Sequence, residues 1–185
     1  MDREIELRDE SICLAPYRPS DIDSLYDAVR ESIPMLSKWL SWCHPGYSVE
    51  DSKLWIESRY DAWIKGIEYD FCIIDVKNGS FLGGCGLNQV NYVHRCANLG
   101  YWVRSTRTGE GIATKAAELV SQFAFDALNL TRIEIVVACE NEKSRRVAEK
   151  LKATREGILR NRLVISDKVH DAIVFSLIVK DFIEY

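Results

Sequence analysis

The chain has 185 residues, with 24 Lys and Arg against 28 Asp and Glu, a formal charge of −4. With 47% apolar and 28% charged residues, it has the composition of a globular protein with its own core, not of a disordered or collagenous one. The mild acidity and the absence of a basic face argue against nucleic acid as the main partner. The opening stretch MDREIELRDE has no apolar h-region, and the longest apolar run, Ala172 to Val179, is interrupted by Ser176 and too short to span a bilayer. The reading is a cytoplasmic protein with no membrane partner, folded as one domain over residues 1–185.

In chain order, Glu4 to Ala15 reads as a strand pair around the polar break Asp9-Glu10-Ser11. Pro19-Ser20-Asp21 opens a helix with Ser20 as N-cap, and Pro34 stops it or starts a second piece. Val49 to Lys65 is a second helix, ended by Gly66. The period then changes to two. Tyr69–Val76 and Phe81–Val90 are strands joined by a turn containing Asn78-Gly79, a strong hairpin signal. Ala97–Arg104 is a strand, and Glu110–Leu128 is the best helix, with Ile112, Ala116, Leu119, Val120, Phe123 and Ala127 on one face. Arg132–Cys139 is a strand that completes a right-handed crossover with the two elements before it. Lys143–Leu151 is a short helix, and strands over Thr154–Val164 and Val169–Val179 close the chain. The pattern predicts an α/β (α+β) domain on one mixed, mostly antiparallel sheet flanked by helices.

Chemistry concentrates where Leu99-Gly100-Tyr101-Trp102-Val103-Arg104 gives way to Ser105-Thr106-Arg107-Thr108-Gly109-Glu110-Gly111-Ile112-Ala113-Thr114. A strand ends and a loop with two glycines opens a strong helix, whose first N–H groups have no internal partner. Gly109 and Gly111 let a ligand phosphate approach the backbone, although the same glycines would also serve merely to shape a turn. There is no GK[ST] ending and no third glycine, so neither a nucleotide P-loop nor a dinucleotide fingerprint fits. Downstream, Glu140-Asn141-Glu142-Lys143-Ser144 stands where a strand hands over to a short helix.

Together these stretches resemble the GNAT N-acetyltransferase superfamily: GYWV before the loop, a GxGxAT helix start, ENxxS at the next strand end, then SRRVAEKL and REG. Leu36-Ser37-Lys38-Trp39-Leu40-Ser41-Trp42 is similar to the tryptophan-containing segment of the ribosomal-protein alanine and serine N-terminal acetyltransferases. The resemblance implies that acetyl-CoA is the co-substrate and that no metal takes part. It implies that backbone groups of Trp102 and Val103 run beside the pantetheine arm, and that the loop and helix start hold the pyrophosphate (Arg107, Gly109, Glu110, Gly111, Ile112, Ala113 and Thr114). Asn141 would bond the pantetheine, and Ser144 would protonate the departing thiolate. A backbone N–H where the strands splay would polarise the thioester carbonyl.

Two departures leave the base open. The family often carries Glu where this chain has Asn98, and a serine-directed member uses Glu where this chain has Leu163. His94 and Asp171 are the substitutes, beside water-mediated deprotonation; a hairpin-loop role for His94 and a structural role for Asp171 are the alternatives. Thr108 also stands where the superfamily prefers Gln or Arg, with Arg107 adjacent. Trp39, Trp42, Trp55 and Trp63 lie on segments that flank the acceptor cleft in this family, and each serves equally well as core. Lys143, Arg145 and Arg146 read mainly as a solvated helix face, from which Arg145 or Arg146 could reach the CoA phosphates. The six cysteines have no CxxC spacing and several sit in apolar runs, so they read as small core residues.

The acceptor expected is the α-amine of a protein N-terminus, a ribosomal protein by the resemblance. The alternatives are a small amine, such as a polyamine or antibiotic, and a non-catalytic acyl-CoA-binding module. The family analogy also allows a homodimer.

Overall fold

The computed structural model describes residues 4–183. Strands β1 (Leu7–Arg8) and β2 (Ile12–Pro16) pair around a turn in which the Asp9 carboxylate accepts the N–H groups of Ser11 and Ile12, at 2.6 and 2.7 Å. Ser20 does not cap the first helix. It lies inside a 3-10 turn, Pro19–Asp21, and the Asp21 carboxylate accepts the Arg18 N–H instead, at 2.8 Å. Helix α1 (Ile22–Leu36) runs through Pro34, which lacks the N–H for its own ladder bond, and the helix ends two residues later. Helix α2 (Val49–Ile64) starts at a reciprocal cap. The Ser48 hydroxyl accepts the Asp51 N–H at 3.3 Å, and the Asp51 carboxylate accepts the Ser48 N–H at 2.8 Å.

The hairpin of β3 (Tyr69–Asp75) and β4 (Phe81–Asn91) turns with Gly79 at φ 71°. Then come β5 (Cys96–Val103), α3 (Ile112–Asp126), β6 (Arg132–Ala138), α4 (Glu142–Lys150), β7 (Thr154–Ile165), β8 (Lys168–Ile178) and a final turn of helix, α5 (Lys180–Ile183), which the sequence pattern did not announce. The sheet has eight strands in the order β1-β2-β3-β4-β5-β6-β8-β7. Every pairing is antiparallel except β5 with β6, which the α3 crossover makes parallel.

Period-two alternation sorts the side chains. Leu14, Ile73, Leu87, Leu99, Ile133 and Ile135 face α3, whose Ala116, Val120 and Phe123 are buried against them. Cys72 and Trp102 point the other way, towards Leu25, Ala28 and Val29 of α1 and Ile56 of α2. Trp63, 2% exposed, is core and belongs to the α3-side cluster. Burying an aromatic of this size contributes on the order of 3 kcal/mol, and its rings meet Tyr69 and Phe71 edge-on at 4.9 and 5.2 Å.

The parallel pair positions the site. Only Cys96, Ala97 and Asn98 find partners on β6 (Arg132, Ile133 and Glu134), although β5 continues to Val103 and β6 to Ala138. Each strand stays paired on its outer edge, Leu99–Val103 to β4 and Ile135–Ala138 to β8. Beyond Asn98 the two inner edges therefore face each other unpaired, across an opening.

Candidate active site

A cavity of about 840 Å³ fills that opening. Its walls are the two unpaired edges, Leu99–Val103 and Ile135–Ala138. One end is closed by the loop that leads into α3 and by α4; the end of α1 and the segment after it form a side wall that reaches α4, where Lys143 Nζ lies 3.9 Å from Met35 Sδ. Leu163, Val164 and Ile165 of β7 complete the rim.

At the first end, Gly111 is the residue that starts α3, at φ 81°, and having no side chain it leaves the first N–H groups of the helix uncapped. The first helical bond is from the Lys115 N–H to the Gly111 carbonyl at 3.1 Å, so the N–H groups of Ile112, Ala113 and Thr114 sit before the ladder begins. Gly109 is left-handed as well, at φ 90°, and a Cβ added at either glycine would point into open space. Both positions require glycine for backbone conformation, not because a neighbour crowds them. Gly109, Gly111, Ile112, Ala113 and Thr114 all line the cavity.

Arg107 lines it too, but its guanidinium is committed. Nε donates to Glu110 at 2.8 and 3.0 Å, and Nη2 donates to Asp75 at 3.1 Å. The Glu110 carboxylate is turned towards Arg107, which holds it below the usual carboxylate range. Arg107 thus braces the glycine loop against the β3–β4 turn. The other cations that line the cavity are Lys143, Arg146 and Lys150 of α4, of which Arg146 pairs with Glu142 at 3.7 Å. Arg145 is outside the lining and pairs with Glu149 at 3.3 Å.

A second brace comes from Glu31 of α1. It accepts from Arg104, from the Thr106 N–H at 3.1 Å, from the Thr106 hydroxyl at 2.8 Å and from the Ser105 hydroxyl at 3.1 Å. The Arg104 guanidinium above all brings its pKa down to about 2. An acid seventy residues upstream with no motif around it gives no sequence signal for this role.

Between the ends, Asn141 caps α4 by accepting the Ser144 N–H at 3.2 Å, which leaves its amide NH₂ for the cavity. The Ser144 hydroxyl lies 3.0 Å from the Tyr101 hydroxyl, and Tyr101 also reaches the Ser144 carbonyl at 3.1 Å. Burial pushes the Tyr101 phenol up, so it stays a neutral donor. The sequence reading passed over Tyr101. Its place in the alternation, on the α3 face of β5, is the signal that could have put it beside α4.

In the side wall after α1, Trp39, Leu40 and Trp42 line the cavity, and the Trp42 ring meets Trp102 at 6.0 Å. Trp55 and Trp63 are not part of it; Trp55 packs edge-on against Tyr17 at 4.6 Å. Asn98 and Leu163, the two departures from the family's glutamates, both line the cavity. The proposed substitutes do not. His94 is exposed in the β4–β5 turn, where its N–H is held by Asn91. Asp171 accepts the Asn161 N–H at 2.8 Å, pinning β7 where its register shifts.

No carboxylate lines the cavity. Among the described residues no cluster of three His, Cys, Asp or Glu could hold a metal ion, and no helix is long and apolar enough to cross a membrane. All six cysteines are free thiols, and burial pushes Cys72 up to about 12, which makes it unreactive.

A parallel strand pair splayed over an uncapped helix start, with an Asn–Ser turn across the opening, defines a GNAT-type acyltransferase site. Its uncapped N–H groups, unpaired strand edges and α4 cations are chemically suited to an anionic, amide-bearing co-substrate such as acetyl-CoA. Comparison with known proteins agrees: the acetyltransferase (GNAT) domain family matches residues 11–154, and the chain belongs to that family. YdaF of Bacillus subtilis, described provisionally as a ribosomal N-acetyltransferase, is 30% identical over 176 residues, 94% of each chain. Spermidine N(1)-acetyltransferase of Escherichia coli is 31% identical over 130 residues, 65% of this chain and 70% of that one. The structure of Mycobacterium smegmatis RimJ, solved with CoA-disulfide, has a TM-score of 0.86 at 26% identity, covering 97% of this chain and 88% of that one. The protein is an N-acetyltransferase that uses acetyl-CoA.

Proposed function

We propose that the acceptor is the α-amine of a protein N-terminus, with a ribosomal protein as the substrate class. The observation that carries this is the character of the walls: apolar and aromatic at the acceptor end, with no carboxylate among the lining residues. A polyamine keeps further positive charges when its reacting nitrogen is neutral, and those charges need acidic partners. A peptide N-terminus carries one amine, and its pKa near 8 makes deprotonation easier than for a lysine near 10.4. Room for the following residues exists. A second hollow shares Val136 with the main cavity; its two carboxylates, Glu134 and Glu156, are already paired with Arg132 at 2.9 and 2.6 Å, which leaves Arg162 to meet a peptide and no unpaired acid for a polyamine. The likeness to YdaF supports the ribosomal class. The likeness to the spermidine enzyme favours a small amine and is the second reading.

Acetyl-CoA supplies an acetyl group held as a thioester. In this reading the N–H groups of the Gly109–Thr114 stretch hold its pyrophosphate, and the free edge of β5 at Trp102 and Val103 pairs with the pantetheine arm as an added strand would. The Asn141 amide donates to the same arm. The Ser144 hydroxyl, with Tyr101 behind it, gives a proton to the sulfur as the C–S bond breaks. A panel of amines tests the reading: Ser- and Ala-initiated peptides release CoA thiol, and spermidine does so at least 10-fold more slowly. The reverse preference assigns the small-amine function.

A further inference from the structure

With Asn98 and Leu163 unable to take a proton and His94 and Asp171 away from the cavity, the proton acceptor has to be found elsewhere. On the α1-facing side of the sheet, one register row runs from Asp70 on β3 through Gly86 on β4 to Gly100 on β5. Gly100 lines the cavity. Gly86 has no side chain, and the Asp70 carboxylate leans into the vacated space: a Cβ at Gly86 would stand 2.5 Å from Asp70 Oδ1. Directly opposed residues on neighbouring strands are about 5 Å apart, so one strand spacing separates this carboxylate from the cavity wall, the span of a single bridging water. The track has polar neighbours. Asn88 Nδ2 stands 3.7 Å from where a Gly100 Cβ would be, and Asn88 Oδ1 accepts from the Asn98 amide at 3.0 Å.

We propose that Asp70 is the proton acceptor for the incoming amine, reached through water across the floor made by Gly86 and Gly100. This inference rests on the acetyltransfer reading above. Its protons balance. The ammonium form loses one proton through water to Asp70, which later returns it to solvent. As the N–C bond forms and the C–S bond breaks, the Ser144 hydroxyl gives its proton to the CoA sulfur and is restored by the second proton the nitrogen loses, passed on through water.

The surroundings of Asp70 suit the role. Arg59 of α2 donates to Oδ2 at 2.8 Å and also binds Glu68, and Tyr17 and Cys85 are the other titratable groups that feel the carboxylate. Burial, the largest influence, raises Asp70 to about 6; Arg59 opposes this and Glu68 adds to it. A base with that pKa is ionised at neutral pH and still basic enough to work. Because only the ionised form accepts a proton, kcat rises as pH increases through about 6.

The test measures kcat against pH with acetyl-CoA and a Ser-initiated peptide. Asp70→Asn should lower kcat at neutral pH by about 100-fold and remove the acid limb, with thermal stabilisation by acetyl-CoA unchanged. Arg59→Gln, which removes the charge that favours the carboxylate, should move the limb to higher pH; a purely structural Asp70 would leave it in place. Should Asp70→Asn not fold, the Arg59→Gln profile decides alone. An Asp70→Asn enzyme with wild-type kcat and limb, or an unmoved limb in Arg59→Gln, overturns the assignment of Asp70 only. No turnover of any amine by the wild-type protein overturns the acetyltransfer reading and this inference with it.

Discussion

At the donor end of the cavity, the groups proposed to hold acetyl-CoA are backbone N–H and C=O from two stretches that almost adjoin in sequence, Leu99–Val103 and Gly109–Thr114, both lining the cavity. The acceptor end is assembled from side chains of the α1–α2 segment, β4, β5 and β7, brought together only by the sheet. Backbone chemistry depends on conformation, so it demands glycine at set positions and leaves a motif. Side-chain chemistry depends on which strands become neighbours, so different residues can serve it and no motif is required. The two ends should therefore respond differently to substitution.

The largest effect is expected at the donor end. Leu at both Gly109 and Gly111 must hold two left-handed conformations, each costing roughly 1–2 kcal/mol, or abandon the nest. At acetyl-CoA about a hundred times its wild-type Kd, the wild type should gain about 2.7 kcal/mol of stability and the double variant none. Retained stabilisation in a thermal melt would show that the loop is not the phosphate site.

Next comes the middle of the cavity. Ser144→Ala should lower kcat about 10-fold with acetyl-CoA affinity unchanged, because Tyr101 stays within reach of the sulfur; adding Tyr101→Phe should bring the loss to about 100-fold. Equal rates in the single and double variants would remove Tyr101 from the proton path.

Glu31→Gln tests whether the donor end depends on a brace outside its motif. Loosening the Arg104–Thr106 segment should raise the Kd for acetyl-CoA about 5-fold and leave acceptor KM alone, a cost of about 1 kcal/mol. The wild-type clamp is complete above the ordinary carboxylate pKa of 4.5 and is lost only as pH falls towards about 2. The variant's deficit should accordingly be constant across neutral pH. Trp42→Ala should have the smallest effect, a roughly 3-fold rise in acceptor KM with acetyl-CoA Kd unchanged, since this half-exposed ring meets Trp102 only through its side chain and the groups proposed to hold acetyl-CoA there are backbone. A change in acetyl-CoA Kd instead would erase the division between the two ends.

The same division explains what could be read from the chain. The strands, the long helix and the hairpin at Asn78-Gly79 follow from periodicity and turn chemistry, and the uncapped left-handed turn into α3 follows from two glycines before a strong helix. Ser20 misled because the cap it promises is replaced by a 3-10 turn closed by Asp21. Pro34 marks the end of α1 to within two residues: the helix continues past it to Leu36. His94 and Asp171 are chemically fit to act as bases, but sequence does not report that one sits in an exposed turn and the other holds a strand. Asp70 and Glu31 were invisible for the complementary reason: each gains its role from a partner on another element, Gly86 in one case and the 104–106 segment in the other.

The most direct measurement is thiol release from acetyl-CoA over a panel of N-terminal peptides and polyamines, with mass spectrometry of the products. The account predicts CoA release with peptide acceptors and an acetyl group on their α-amine. Acetyl-CoA binding with no thiol release from any peptide would contradict it.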